Sequence, residues 1–451
     1  MLTRTGVPAH PVVVGMALLV SGAIAVGATL APLLTIAFAV AAALAALTVG
    51  SLTFGVALFT LLTFFETLPG LDGIALSRPF GVVLLVSWLA ALVRNPSELP
   101  LLHRDRPLLA YVLVSFVGWA GISALWAADS AVAISNASRL GLTVALVFIL
   151  FTALRTPRDV TIVAWAFLTG AFLVAVVGLA TGANKAGRLA LGELDPNTLA
   201  ASLSAALLLA LFLVWSLEHR GAQVLLALFM CVYGVAIVRT ESRGALVALA
   251  VAACAAVIFG GPARSRIVGT LIIIVAIGVG YYAFAAPADV RERAASTVGG
   301  QRDPRFDTWS IARSMTEDHP ILGVGLGNFT VVQSRYLPGQ ASLVGVRKLH
   351  NTPLVAHNTY LEILAELGIV GLALFVAIVV SIAGGAIRSL GRISARSPSA
   401  ELTVRGLIAV LSVFLTAYAF VSGTYAKHIW LLVGVLAAAA SIVRDVKRPL
   451  T

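Results

Sequence analysis

Uncharged apolar runs recur from one end of this 451-residue chain to the other, and that repetition limits its fold more than any other feature. The runs are about 17–25 residues long, enough for a helix rising 1.5 Å per residue to cross a hydrocarbon core about 30 Å thick. Backbone N–H and C=O groups in lipid must be satisfied within their own segment, so each run is expected to be a helix. The fold class that follows is an all-α polytopic membrane protein with about 12–14 transmembrane helices. Composition agrees: 59% of residues are hydrophobic and 11% charged, a balance no soluble domain carries without a very large exposed apolar surface. The first ten residues hold a single Arg, and the run at 12–30 lacks an A-x-A-like cleavage site. That run therefore reads as a first membrane helix rather than a removed signal. Cys231 and Cys254 both fall inside apolar runs, so neither a disulfide framework nor a zinc site is indicated.

The span count is even whether the stretch 33–66 crosses twice or dips in as a re-entrant pair, which leaves both termini on one side. The formal charge of +11 does not call for nucleic acid, because basic residues hold loops of a membrane protein on the cytoplasmic side. With both termini cytoplasmic, the inner segments (Arg4, then 94–106, 155–159, 218–220, 262–266, 388–405 and 444–448) hold 16 basic and 6 acidic residues. The outer loops beginning at 181, 239 and 287 hold 12 basic and 9 acidic. The basic residues that remain outside work against the rule and need a separate reason.

One connection differs from the rest. Residues 287–357 form a long extracytoplasmic loop, and a long loop between compact elements is usually functional. It contains DTWSIARSMTEDH, which reads as an amphipathic helix, and then GVGLGNF. The latter follows no strand, so a turn leaving the loop helix fits it better than a phosphate cradle.

Three outer features and one intramembrane arginine carry ionisable groups. In 184–197, NKAGRLALGELDPN, the Asp195-Pro196-Asn197 turn suits a helix cap, whereas Arg188 is not explained by capping. RTESRGAL at 239–246 places Arg239 and Arg243 in a tight outer turn, where they either snorkel to lipid phosphate or face an anionic ligand. The long loop adds Arg305, Arg347 and His350 among near-balanced charges. Arg139 lies about ten residues inside a span, on the order of 15 Å deep, where an arginine is costly and faces a polar cavity or an anionic partner.

The stretch 355–368, VAHNTYLEILAELG, sets His357 at the mouth of an apolar run expected over 359–386. Thr359 and Glu362 fit the capping-box pattern, which starts the helix at Thr359 with His357 just outside. A helix N-terminus favours a neutral imidazole that is able to accept a proton.

Taken in order, R-L-x-x-G-x-L-D-P-N at 188–197, S-R-G at 242–244, RFDTWSIARSMTEDHPILGVGLGNF at 305–329 and AHNTYLEILAELGIVG at 356–371 resemble the O-antigen ligase / Wzy-type polymerase family of bacterial cell-envelope glycosyltransferases. The resemblance covers roughly 181–375, and the last two pieces are its most specific part. It divides the chain into N-terminal transmembrane helices (1–180), an O-antigen ligase-like catalytic region (181–375) and C-terminal transmembrane helices (376–451).

The resemblance implies a GT-C-like fold in the plasma membrane. It also implies a glycan donor carried on undecaprenyl pyrophosphate, and inverting transfer to an acceptor hydroxyl on glycan, lipid or protein at the outer face. No metal or cofactor is implied. Its two arginines and one histidine fall on Arg188, Arg243 and His357. Arg139, Arg305, Arg347 and His350 rank second, as donor or acceptor contacts. A pyrophosphate leaving group suits arginines, which bind it bidentately and stay charged. An acceptor hydroxyl suits a histidine base. The rival from another class is a polytopic transporter or lipid-linked oligosaccharide flippase, which would carry Gly/Pro-broken helices in matching halves and charges along a central path.

Overall fold

The computed structural model describes residues 32–65, 77–94, 96–182, 184–185, 187–191, 194–284, 305–336, 355–394 and 398–445. The expected span at 12–30, the loop stretches 285–304 and 337–354, and with them Arg347 and His350, lie outside the described residues.

The described chain is helical apart from one short ribbon. Its helices are α1 (Pro32–Gly50), α2 (Leu52–Leu62), α3 (Ser77–Arg94), α4 (Leu102–Asp105), α5 (Pro107–Ile122), α6 (Ser130–Ala153) and α7 (Pro157–Thr181). The ribbon pairs β1 (Asn184–Lys185) with β2 (Arg188–Leu189). Then come α8 (Pro196–Ser216), α9 (Arg220–Thr240), α10 (Arg243–Phe259) and α11 (Arg264–Phe284). The loop helices are α12 (Arg305–Asp318) and α13 (Phe329–Tyr336), followed by α14 (Thr359–Ser394), α15 (Pro398–Ala417) and α16 (Lys427–Asp445). Among the described residues nine helices are long and apolar enough to cross a membrane, and the protein is an all-α polytopic membrane protein.

Local chemistry sets the helix starts. Asp129 caps α6, Thr156 and Asp159 form a reciprocal capping box on α7, and Ser242 caps α10. Each supplies a side-chain oxygen to N–H groups that have no partner within the helix. Proline at the first helical position, where no N–H is needed, opens α5, α7 and α8.

The bundle is built around α8, whose residues Leu199–Val214 are all buried. Helices α9, α10 and α15 wrap it. Gly406 of α15 lies directly against Phe212, where a Cβ would come within 2.7 Å of that side chain. Small residues at such crossings let membrane helices approach closely. At the periphery, Ile272, Ile273, Val275, Ile277 and Val279 of α11 and Val82 and Val86 of α3 are exposed. In a membrane these are lipid-facing.

The connections collect at two ends. At one end Arg106 donates to Ser441, Arg405 reaches the carbonyl of Phe259, and Gly261 packs on Arg405. These joints belong to the segments that the charge count assigns to the inside. The starts of α6, α8, α10, α14 and α16 gather at the other end, with α12 and α13.

The helix beginning at Thr359 departs from the sequence reading. A single span was expected over 359–386, but α14 breaks at Gly368, whose φ of 65° and ψ of −169° are not helical. The break frees the carbonyls at the end of the first segment. Val324 N–H caps Ala365, Gly325 N–H caps Glu366, and the Trp119 indole N–H caps Leu367, all at 2.9 Å. GVGLGNF is thus the turn expected, and its N–H groups also hold the Glu366 carboxylate, with Gly327 at 2.8 Å and Phe329 at 3.1 Å. The acceptor it holds is a side chain of this same protein. The amphipathic helix expected at 307–319 is α12, which buries Thr308, Ile311, Ala312 and Met315 at helical spacing.

Candidate functional site

The motif around Arg188 folds as one polar joint. Asp195 caps α8 through Asn197 N–H (2.9 Å) and Thr198 N–H (3.3 Å). Asn197 therefore lies within the first turn, not at the cap, and its side chain is released for another task. Its Oδ1 accepts from Arg188 Nη2 and from Ser242 Oγ, both at 2.9 Å. Arg188 Nε donates to the carbonyl of Thr240 at 2.8 Å. The arginine of the first motif is thereby fixed to the α9–α10 turn that bears the second. Arg188 is half-buried and Arg243, the first residue of α10, is exposed.

Arg243 precedes Gly244, where a Cβ would lie 2.8 Å from Phe420. Phe420 belongs to the α15–α16 turn, residues 418–426. That turn also holds His357, whose main-chain N–H donates to Ser422 Oγ at 3.0 Å. His357 is exposed and has φ 48°, a left-handed conformation that costs a non-glycine residue on the order of 1 kcal/mol.

The expected capping box is not formed. Asn358 caps α14, its Oδ1 accepting from Tyr360 N–H (3.0 Å) and Leu361 N–H (3.1 Å). Thr359 instead donates to the carbonyl of Val421 (2.6 Å) and accepts from Gly423 N–H (2.9 Å). Glu362 accepts from Thr424 at 3.1 Å. The S/T-x-x-E pattern is present, but a neighbouring turn outcompetes it for both side chains.

Of the second-rank arginines, Arg139 reaches the same turn. Arg139 lies over the Tyr425 ring at 5.2 Å, a cation–π arrangement that gives this intramembrane arginine its partner. Thr308, one turn after Arg305 in α12, donates to the carbonyl of Ala356 at 3.2 Å, immediately before His357. The turn at 418–426 thus meets Arg139 through Tyr425 and His357 through Ser422, and it packs on Gly244 beside Arg243; Arg188 is tied to Thr240 and Asn197 instead. Burial pushes the phenols of Tyr418 and Tyr425 up, so both stay neutral and can donate. Neither hydroxyl has a protein partner among the described residues.

Sequence reasoning missed this turn. YAFVSGTYA carries no charge and no motif, and it reads as a plain connection between two spans. The available signal was its two tyrosines flanking Ser-Gly-Thr, an unusually polar content for so short a joint. Among the described residues no group of three or more His, Cys, Asp or Glu side chains could hold a metal ion.

Residues 225–376 match the family model described as O-antigen ligase. The match takes in Arg243 and His357, whereas Arg139, Arg188 and the 418–426 turn lie outside it. It bears out the resemblance carried by the motifs and supports a membrane enzyme of the ligase or polymerase type. Among solved structures, a chain from "Structural coordination of polymerization and crosslinking by a peptidoglycan synthase complex" is similar at 17% identity and a TM-score of 0.41, covering 76% of this chain and 98% of that one. A likeness of that degree carries no argument about function. No curated protein matches.

Proposed function

From the O-antigen ligase domain at residues 225–376, we propose that the protein is a glycosyltransferase. It moves a glycan from an undecaprenyl-pyrophosphate-linked donor to an acceptor hydroxyl at the outer face of the plasma membrane, with both termini cytoplasmic. What supports this most is that Arg188 is tied to the α9–α10 turn that bears Arg243, while the 418–426 turn packs on Gly244 and holds the His357 main chain.

The chemistry is a single displacement at the anomeric carbon. The acceptor oxygen forms the new bond as the bond from anomeric carbon to phosphate oxygen breaks, with inversion and without a metal. The acceptor proton goes to the His357 imidazole, a general-base contribution of about 10²–10⁴-fold. The pyrophosphate leaves with its electron pair and gains negative charge. Arg243, exposed at the N-terminus of α10, meets that charge together with the positive end of the helix. Arg188 supplies a second, fixed positive charge behind it, and charge already in place where charge develops costs no reorganisation.

The test is His357→Ala and Arg243→Ala in membranes loaded with the native lipid-linked glycan. Each should lower transfer by at least about 10²-fold at unchanged protein level. Transfer by purified His357→Ala at near wild-type rate would sink the assignment of the base.

A further inference from the structure

We infer that the turn at 320–322, just after α12, is inserted into the membrane leaflet on its own side and takes lipid acyl chains as its partner. Pro320, Ile321 and Leu322 are three successive exposed apolar residues, the last two exposed by 60% and 43%. Such a run facing water is a liability unless something covers it. The residues on either side behave otherwise. Glu317, Asp318 and His319 before it are exposed and polar, whereas Gly323, Val324 and Leu326 after it are buried. The apolar patch is confined to the tip.

That tip is fixed to the membrane-spanning part of α14. Ile369 N–H donates to the carbonyl of Pro320 at 2.9 Å, and a Cβ at Gly368 would collide with the main chain of Ile321. Ile369 is itself exposed and begins a stripe with Val376, Val380 and Ile387. Those positions are seven, four and seven residues apart, which is one face of a helix, and within a span that face meets lipid. Ile321 and Leu322 adjoin the stripe at its end.

Depth agrees. Gly385 packs on Arg106, in a segment that the charge count assigns to the inside. From Gly385 back to Gly368, α14 advances about 25 Å at 1.5 Å per residue, against a hydrocarbon core about 30 Å thick. Gly368 and the turn bonded to it therefore lie at or just within the far edge of the core. The Trp119 indole, bonded to the Leu367 carbonyl at that level, is of the residue type that favours this edge. The carbonyls of His319 and Pro320 accept the N–H groups of Gly323 and Ile369, so neither enters an apolar setting unsatisfied. The insertion holds the end of α12 at headgroup level.

The full-length protein carrying Cys231→Ala and Cys254→Ala is placed in nanodiscs of phosphatidylethanolamine and phosphatidylglycerol, with a nitroxide on one introduced cysteine. Collisions with oxygen, which concentrates in the bilayer, are compared with collisions with a water-soluble nickel chelate. Oxygen should exceed nickel several-fold at Ile321→Cys and Leu322→Cys, as at Val380→Cys within the span. The ratio should invert at Glu317→Cys, an exposed position on α12. Nickel-favoured collisions at both turn positions put the turn in water and overturn the inference. Protection from both reagents puts protein there, a second copy or another partner, and overturns it equally. If one cysteine variant does not accumulate, the other carries the same outcomes.

Discussion

Arg188 and Ser242 share one acceptor, Asn197 Oδ1, at 2.9 Å each. The residues come from two motif pieces that are well separated in the chain, and a single amide joins them. Asn197→Ala removes the shared acceptor while the Asp195 cap stays intact. Transfer should fall by about 10-fold or more through loss of arginine placement, while the melting temperature in detergent drops only slightly. Wild-type transfer in Asn197→Ala would mean that Arg188 is oriented without it.

Arg139 and Tyr425 separate ring from hydroxyl. Tyr425→Phe keeps the face on which the guanidinium sits and should leave stability near wild type. Tyr425→Leu removes the face and should cost about 1–2 kcal/mol, because the arginine lies within a span and the contact is partly desolvated. Equal melting temperatures for the two variants would contradict the cation–π account.

Glu366 tests the GVGLGNF turn. Its two oxygens each accept one N–H, from Gly327 and Phe329. Glu366→Gln is the same size but presents an NH₂ to one of those donors, leaving a buried N–H unsatisfied at a cost of about 1–3 kcal/mol. Thermal unfolding should show that loss, and an unchanged midpoint would rule it out.

Gly323 has φ 70°, and a Cβ there would collide with the main chain of Glu366. Gly323→Ala should therefore destabilise by about 2 kcal/mol or more. Gly118, in open space on α5, is the control: Gly118→Ala should be neutral or slightly stabilising. Chemical denaturation of the two variants checks the contrast.

His428 tests a buried polar contact inside the bundle. Thr63 donates to the carbonyl of Thr60 at 2.6 Å, so its oxygen accepts from His428 Nε2–H at 3.1 Å. His428 Nδ1 lies 2.7 Å from the Ser202 hydroxyl, which also reaches the carbonyl of Thr198 at 3.0 Å. Ser202→Ala should cost about 1 kcal/mol, read as a lower melting temperature with transfer unchanged.

The helices were legible because each apolar run had to satisfy its own backbone. Arg188, Arg243 and His357 stood out because the charge count sets them outside the membrane, where basic groups have few bland reasons to be. Two features were not legible. Gly368 breaks α14 inside a run that reads as unbroken, since one glycine in an apolar helix is ordinary; only the facing GVGLGNF loop and Trp119 make the break stable. Thr359 and Glu362 matched a local pattern, yet a turn about 60 residues further along the chain takes both side chains. Local pattern reading cannot see that competitor, because it arrives only with tertiary structure.

The α15–α16 turn follows His357 by two membrane crossings and stands at the foot of the last described helix. During synthesis the histidine and both motif arginines emerge long before the segment that holds them together. Ser422 and Phe420 can meet them only after α15 and α16 have been threaded into the bilayer as a hairpin. A nascent or C-terminally truncated chain therefore carries every charged group of the site and remains unassembled. Assembly of the proposed site therefore waits on the insertion of that hairpin.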